Sequence, residues 1–130
     1  MFGKNGSNFV KTMLRLGQER KEVRVVCDQV GSPTYTYDLA RLLCEMIQTD
    51  KYGIYHVTNE GYCSWFDFAI EIMEQTGIKD VVINPVSSSE YKTSAVRPLN
   101  SRLSKNKLEQ NGFGRLPYWG ESLKKMLGEL

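Results

Sequence analysis

Early in the chain the apolar residues return at every third or fourth position. Phe9, Val10, Met13, Leu14 and Leu16 form one stripe, and Ser7 or Asn8 stands before it to cap the free amides. This spacing predicts a helix from Asn8 through about Gly17. The period then shortens: "EVRVVCDQ", Glu22 to Gln29, is Val-rich with partial alternation and predicts a strand, which the corner "VGSPT" breaks. Tyr37 to Thr49 reads as a second helix with Leu39, Leu42, Leu43, Met46 and Ile47 on its inner face and Asp38 favouring the dipole of its first turn. "GIYHVTN", Gly53 to Asn59, predicts a strand. In the helix of Ser64 to Gly77, Ser64 is the N-cap, Asp67 its N3 partner and Gly77 the stop, with Trp65, Phe66, Phe68, Ala69, Ile72 and Met73 as the apolar face.

"VVINPV", Val81 to Val86, predicts a short strand at an edge, because Pro85 has no N–H to give a ladder. The polar, irregular "SSSEYKTSAVRPLNSRLS" that follows predicts a long loop of the kind that carries sites. Two short helices, Ser104 to Phe113 and one beginning just after Pro117, close the chain. Helix and strand alternate without repeat or low-complexity linker, so the class is α/β. Three strands among five helices fall short of a complete doubly wound sheet of about five or six strands, and the expectation is part of a larger unit.

Composition narrows the function classes. At 130 residues the chain can hold one hydrophobic core. Seventeen Lys and Arg against fifteen Asp and Glu leave a net charge of +2, too small and too evenly spread to mark a nucleic-acid partner. The three cysteines, Cys27, Cys44 and Cys63, are odd in number and widely spaced, which fits a reducing, cytoplasmic compartment and no zinc site. No apolar run reaches membrane-spanning length, so a soluble protein is expected.

Several chemistries lack their residues. There is no Gly-x-Gly-x-x-Gly turn and no Gly-Lys-Ser/Thr phosphate loop. His56 is the lone histidine and alternates with Tyr55 and Val57 as a structural residue would; no Gly-x-Ser-x-Gly elbow accompanies it. Glu71 and Glu74 lie three apart on a helix, a spacing open to a metal but more simply a solvated face. "FGKNGSNF" offers helix amides to an anion, or merely a capping turn. In "AVRPLNSRLS", Arg97 precedes Pro98 and is held extended, projecting forked donors suited to a diphosphate, while Asn100 and Arg102 follow closely. Capping of neighbouring helices is the alternative role for these three.

Taken in order, "NFVKTMLRLG", "VVCDQVGSPTYTYDLA", "GIYHVTNEGYCSWFDFAIEI" and "RPLNSRLSKNKLEQNGF" resemble the C-terminal half of the dTDP-4-dehydrorhamnose reductase family, within the extended short-chain dehydrogenases/reductases. The resemblance covers nearly the whole chain. It rests on a combination of DQ-x-G-x-PT before a helix, YH-x-x-N-x-G-x-C-SW, and RP-x-NS-x-L. It implies the C-terminal part of an NAD(P)-binding, Rossmann-like α/β fold with few short strands and about five helices, residues 1–130 forming a nucleotide-sugar-binding domain. The implied activity is reduction of the 4-keto group of dTDP-4-dehydro-L-rhamnose to dTDP-L-rhamnose, with NADPH or NADH, for cell-surface polysaccharide.

In such enzymes the cofactor loop and the Ser/Thr-Tyr-Lys catalytic set belong to an N-terminal half. None of the seven tyrosines here has Lys four residues on. The start "MFGKNGSNF" reads as if cut inside a W-x-x-G motif, so a fragment inactive alone is expected, with no catalytic or cofactor-binding residue of its own. Carried over by position, the resemblance implies that Asn8 and Phe9 face the nucleotide sugar, Asn8 donating to a phosphate or sugar oxygen. Gln29, Pro33 and Thr34 would border the nucleotide pocket, Arg97 would clamp the diphosphate, and Asn100 would lie near the ribose. Tyr35 and Tyr37 stand between site and packing roles. Two further readings compete: another nucleotide-sugar epimerase or dehydratase of the superfamily (or the reductase-like partner of methionine adenosyltransferase), and a non-catalytic module that self-associates as a homodimer through exposed apolar faces.

Overall fold

The computed structural model describes residues 1–130. Its five helices are α1 (Phe9–Glu19), α2 (Thr36–Met46), α3 (Trp65–Thr76), α4 (Asn106–Gln110) and α5 (Trp119–Gly128), and its strands are β1 (Glu22–Val26), β2 (Val30–Gly31), β3 (Cys63–Ser64) and β4 (Val82–Val86). β1 and β4 run parallel in register from Glu22 beside Val82 to Val26 beside Val86. β2 and β3 form a separate antiparallel pair.

Helix α3 is the spine of the core. The Ser64 hydroxyl accepts from the Asp67 amide while the Asp67 carboxylate accepts from the Ser64 amide, a reciprocal cap that fixes the first turn. At the other end Gly77 adopts φ 69°, a left-handed stop that a Cβ would strain. Between these ends Phe68, Ala69, Ile72 and Met73 are buried against Val10 and Met13 of α1, Val23 and Val25 of β1, and Leu123 and Met126 of α5. Phe68 alone packs its ring against Phe2, Phe9 and Trp119, at centroid separations of 5.6, 5.4 and 5.6 Å. A smaller cluster, Leu42, Leu108, Phe113 and Leu116, joins α2 to α4.

A polar hub lies beside these aromatic residues. Asn59, wholly buried, accepts from the Tyr35 amide at 2.7 Å and shares its amide hydrogens among the Asp38 carboxylate, the Pro117 carbonyl and the Ser122 hydroxyl. Ser122 in turn donates to Asp38. One side chain therefore pins the start of α2, the segment before α5 and α5 itself.

Five expectations change. The first strand ends at Val26, not Gln29, because Asp28 turns its carboxylate to Ser88. Gly53–Asn59 is not a strand: its backbone finds no ladder, and Tyr55 and Val57 instead lean on the smaller cluster while Ile54 and His56 face outward. Helix α2 is rotated from its expected setting, with Asp38 and Leu42 inward and Leu43 and Ile47 exposed, because the Asn59 hub holds Asp38. The penultimate helix shortens to Asn106–Gln110. A pair of two-residue strands, β2 and β3, appears where the sequence suggested only a corner and a cap.

Replacing Asn59 with Ala strips one donor from the buried Asp38 carboxylate and orphans the Tyr35 amide, at about 1–3 kcal/mol for each buried group that loses its partner. The expected result in urea unfolding is a loss of about 3 kcal/mol or more at unchanged slope; an unmoved midpoint would contradict the hub.

Candidate functional site

The two residues of β2 draw three distant stretches together. Val30 lies opposite Ser64 and Gly31 opposite Cys63. On its other side Val30 donates its amide to the Leu99 carbonyl and accepts from the Ser101 amide, both at 2.9 Å. Nearby, the Phe2 amide donates to Thr34 and the Thr36 amide to Phe2, which brings the N-terminal residues alongside. Asn8 caps α1 through the Lys11 amide and sets Phe9 against Trp65, 4.8 Å between ring centroids.

Two cavities open on this junction. The larger, about 890 Å³, has an apolar floor of Met13, Leu16, Val23 and Val25 and a rim carrying Arg24, Lys92 and Arg97. None of its lining residues is a carboxylate, so its field favours an anion. The smaller, about 290 Å³, is bounded by Phe2, Pro33, Cys63, Phe68 and the hydroxyl residues Ser32 and Ser101. Phe9, Gln29, Trp65 and Arg97 line both, forming the ridge between them.

Of the residues expected to meet a ligand, Phe9, Gln29 and Arg97 are thus brought together on the ridge, with Pro33 on the smaller cavity. Three are placed elsewhere. Asn8 uses its carbonyl oxygen on the Lys11 amide and an amide hydrogen on the Gly3 carbonyl, and it borders neither cavity. Thr34 is buried behind Pro33 with its hydroxyl turned to the Ser32 carbonyl. Asn100 is exposed and spends its oxygen on the amide and Nε of Arg102. All three side chains thus make their hydrogen bonds within the protein. Tyr35 is a packing residue, stacked on Phe2 at 5.5 Å with its hydroxyl donating to Glu129, and Tyr37 lies outside both cavities.

Sequence reasoning missed Trp65, Arg24 and Lys92 as wall residues. Trp65 shares the helical face of Phe68 and Ile72 and so reads as core, yet it stands at the first position of α3, past the edge of the packed region, and remains 38% exposed. Lys92 depends on how the loop after β4 is folded. That loop is tethered by Asp28, whose carboxylate accepts from both the amide and the hydroxyl of Ser88 at about 3 Å. The Ser88 amide, chiefly, holds the Asp28 carboxyl below its ordinary value.

Burial, with the nearby Asp67 charge, pushes the Cys63 thiol up to about 12, so it stays protonated at neutral pH. Burial and then Glu129 raise Tyr35 to about 12 as well. An apolar-floored, cation-rimmed cleft is equipped to bind and orient an anionic ligand.

The RmlD substrate binding domain matches residues 1–130. The chain belongs to that family. Along 129 residues it is 44% identical to the spore coat polysaccharide biosynthesis protein SpsK of Bacillus subtilis (strain 168), covering 99% of this chain and 44% of that protein. It is 39% identical over 140 residues to the dTDP-4-dehydrorhamnose reductase of Escherichia coli (strain K12), covering all of this chain and 47% of the reductase. The crystal structure of dTDP-4-dehydrorhamnose reductase from Bacillus anthracis, solved in complex with NADP, superposes with a TM-score of 0.95 at 48% identity, over 99% of this chain and 46% of that one. The chain spans about half the length of the curated relatives it matches. As a member of this family it has the mixed α/β architecture of Rossmann-like extended reductases, here with five helices and few strands.

The Asp28 tether has a pH signature. A carboxyl lowered by folding contributes its stabilisation above the ordinary value of 3.8 and loses it as pH falls through the lowered one. The Ser88 amide resonance should therefore titrate with a midpoint below 3.8, and Asp28→Asn should abolish that titration and speed proteolysis within Ser88–Arg97 at neutral pH. A midpoint at or above the ordinary value would remove the tether.

Proposed function

We propose that this chain is the nucleotide-sugar-binding domain, residues 1–130, of an NADPH-dependent dTDP-4-dehydrorhamnose reductase acting in the cytoplasm. The observation that carries this reading is the convergence of Phe9, Gln29 and Arg97 at the junction of two cavities whose charged lining is wholly cationic. An apolar floor under a guanidinium-bearing rim suits a nucleoside diphosphate: the base takes the apolar surface, and Arg97 presents forked donors to the phosphates. Similarity to reductases of dTDP-4-dehydrorhamnose, at more than a third identity, favours this reading over the epimerases and dehydratases of the same superfamily.

The residues present do not make a dinucleotide cradle, since β1 leads through Cys27–Gln29 into β2 without a glycine-rich turn into a helix. NADPH would supply the hydride when bound in the whole enzyme. What this chain does is hold the substrate by its nucleotide and phosphates. That remote anchorage limits the motion of the sugar, and the binding energy is realised as orientation of the reacting carbonyl.

In the whole reductase Arg97→Ala removes a charged pair to phosphate, worth about 1.5–3 kcal/mol, or roughly ten- to a hundredfold in affinity. The expected outcome is a KM raised by about that factor; an unchanged KM would take Arg97 out of the site. Calorimetric titration of the isolated chain should give binding heat with dTDP that Arg97→Ala abolishes, and none with NADPH. Heat with NADPH would overturn the division of labour.

A further inference from the structure

We infer that Ser88–Leu99 is a flap over the larger cavity, held open by repulsion among the cations that line it and closed when an anionic ligand lies between them. Its trigger is the anion of the functional reading above, on which this rests. Both ends of the segment are fastened to one short stretch of chain. The Ser88 amide and hydroxyl donate to the Asp28 carboxylate at 3.0 and 2.9 Å, and the Leu99 carbonyl accepts from the Val30 amide at 2.9 Å. Asp28 and Val30 are two residues apart, a span of at most about 7 Å, so the segment leaves and returns through one narrow neck in the manner of an Ω-loop.

Beyond the neck nothing fastens it. An Ω-loop ordinarily packs its own side chains inward, whereas every residue from Ser89 to Asn100 is exposed. From Glu90 to Pro98 no hydrogen bond reaches past Ser87: the Glu90 and Tyr91 amides donate to the Ser87 carbonyl, and the Thr93 hydroxyl donates to the Ala95 carbonyl. Val96 is fully exposed and Tyr91 nearly half exposed. Both nonetheless belong to the lining of the larger cavity, whose floor includes Met13 and Leu16. Two apolar side chains thus stand in water beside an apolar surface that closure would let them cover. With so few bonds to break, the segment can move without disturbing the core.

The charges set its resting position. Arg24 lies on β1, the fixed wall, while Lys92 and Arg97 ride on the segment, and no carboxylate belongs to the lining. Closing the empty cavity brings like charges together between apolar walls, where water screens them less. An anion among them reverses the sign of that interaction, and charge and apolar contact then act in the same direction. The ligand therefore has a higher affinity for the closed form than for the open one, which is what a population shift requires. Closure would exclude water from the bound phosphates and slow their release.

The test is limited trypsin cleavage of the whole reductase with and without dTDP, whose binding is measured by calorimetry on the same preparation. Lys92 precedes the segment's one tryptic bond, since proline follows Arg97, and the exposed Arg20 between α1 and β1 gives a reference cut. Cleavage follows the open population, so a flap about nine-tenths closed by saturating dTDP is cut at Lys92 about tenfold more slowly relative to Arg20. An unchanged ratio with dTDP bound would overturn the flap and leave the functional reading standing; a Lys92 bond uncut without ligand would overturn the open resting state. Val96→Ser, at a fully exposed position, separates closure from simple shielding of Lys92 by ligand. Losing that apolar contact should return the cut at saturating dTDP to about half its ligand-free rate or more, and undiminished protection would overturn the flap. Arg24→Glu puts on the fixed wall the charge that a ligand would bring, and should slow the ligand-free cut roughly two- to fivefold, the size of one surface charge pair; an unslowed cut would overturn the role of repulsion. A wild-type protein that binds no dTDP would overturn the functional reading, and the Arg24→Glu comparison, which needs no ligand, would still decide the flap.

Discussion

Two residues of strand hold this molecule's cleft together. Val30 and Gly31 pair with Cys63 and Ser64 on one side, and Val30 exchanges backbone hydrogen bonds with Leu99 and Ser101 on the other. Such a short ladder gains little by itself, for isolated two-stranded pairings are marginal in water. Its strength comes from what flanks it: the capped helix α3 immediately after Ser64, the Ser32 hydroxyl bonded to the Gly61 carbonyl, and the stiff Arg97–Pro98 step before Leu99. Gly61, at φ 87°, belongs to the same arrangement, because a Cβ there would lie 2.5 Å from the Tyr118 ring. Gln29 directly precedes β2, Trp65 directly follows β3, and Arg97 lies two residues before Leu99, so the register of this junction sets their spacing.

How legible this was depended on the range of the interactions. Helix α3 could be read residue by residue, because its cap, N3 partner and stop lie within the segment they define. Likewise α1 and α5 follow from local periodicity, and β4 from a Val-rich run with one proline. The rotation of α2 could not be read this way. Its leucines permit two inner faces, and the choice between them is made by Asn59, which is 21 residues from Asp38 and 63 from Ser122. A buried carboxylate whose partners are an amide and a hydroxyl, with no cation, leaves no mark in local composition.

The candidate site divides along the same line. Arg97 was visible because proline stiffens its backbone, and Gln29 and Pro33 because they occupy a recognisable family motif. Asn8, Thr34 and Asn100 belong to such motifs too, yet their side chains are occupied by Gly3 and Lys11, by Ser32, and by Arg102. A motif marks positions that must be of one kind without saying whether the fold or the ligand requires it. Lys92 and Trp65 show the converse, since their places follow from a tether 60 residues long and from the edge of a packed core.

Tyr35 carries a consequence for the order in which the molecule assembles. Its ring stacks on Phe2, its amide binds Asn59, and its hydroxyl reaches Glu129, 94 residues away. β1 must likewise wait for β4, about 60 residues downstream. Contacts of such separation form slowly, because loop closure must be completed before the contacts that stabilise it exist. Until α5 has been synthesised, therefore, the early helices have no finished core to join, and the apolar floor of the cleft stays open to solvent and to neighbouring nascent chains.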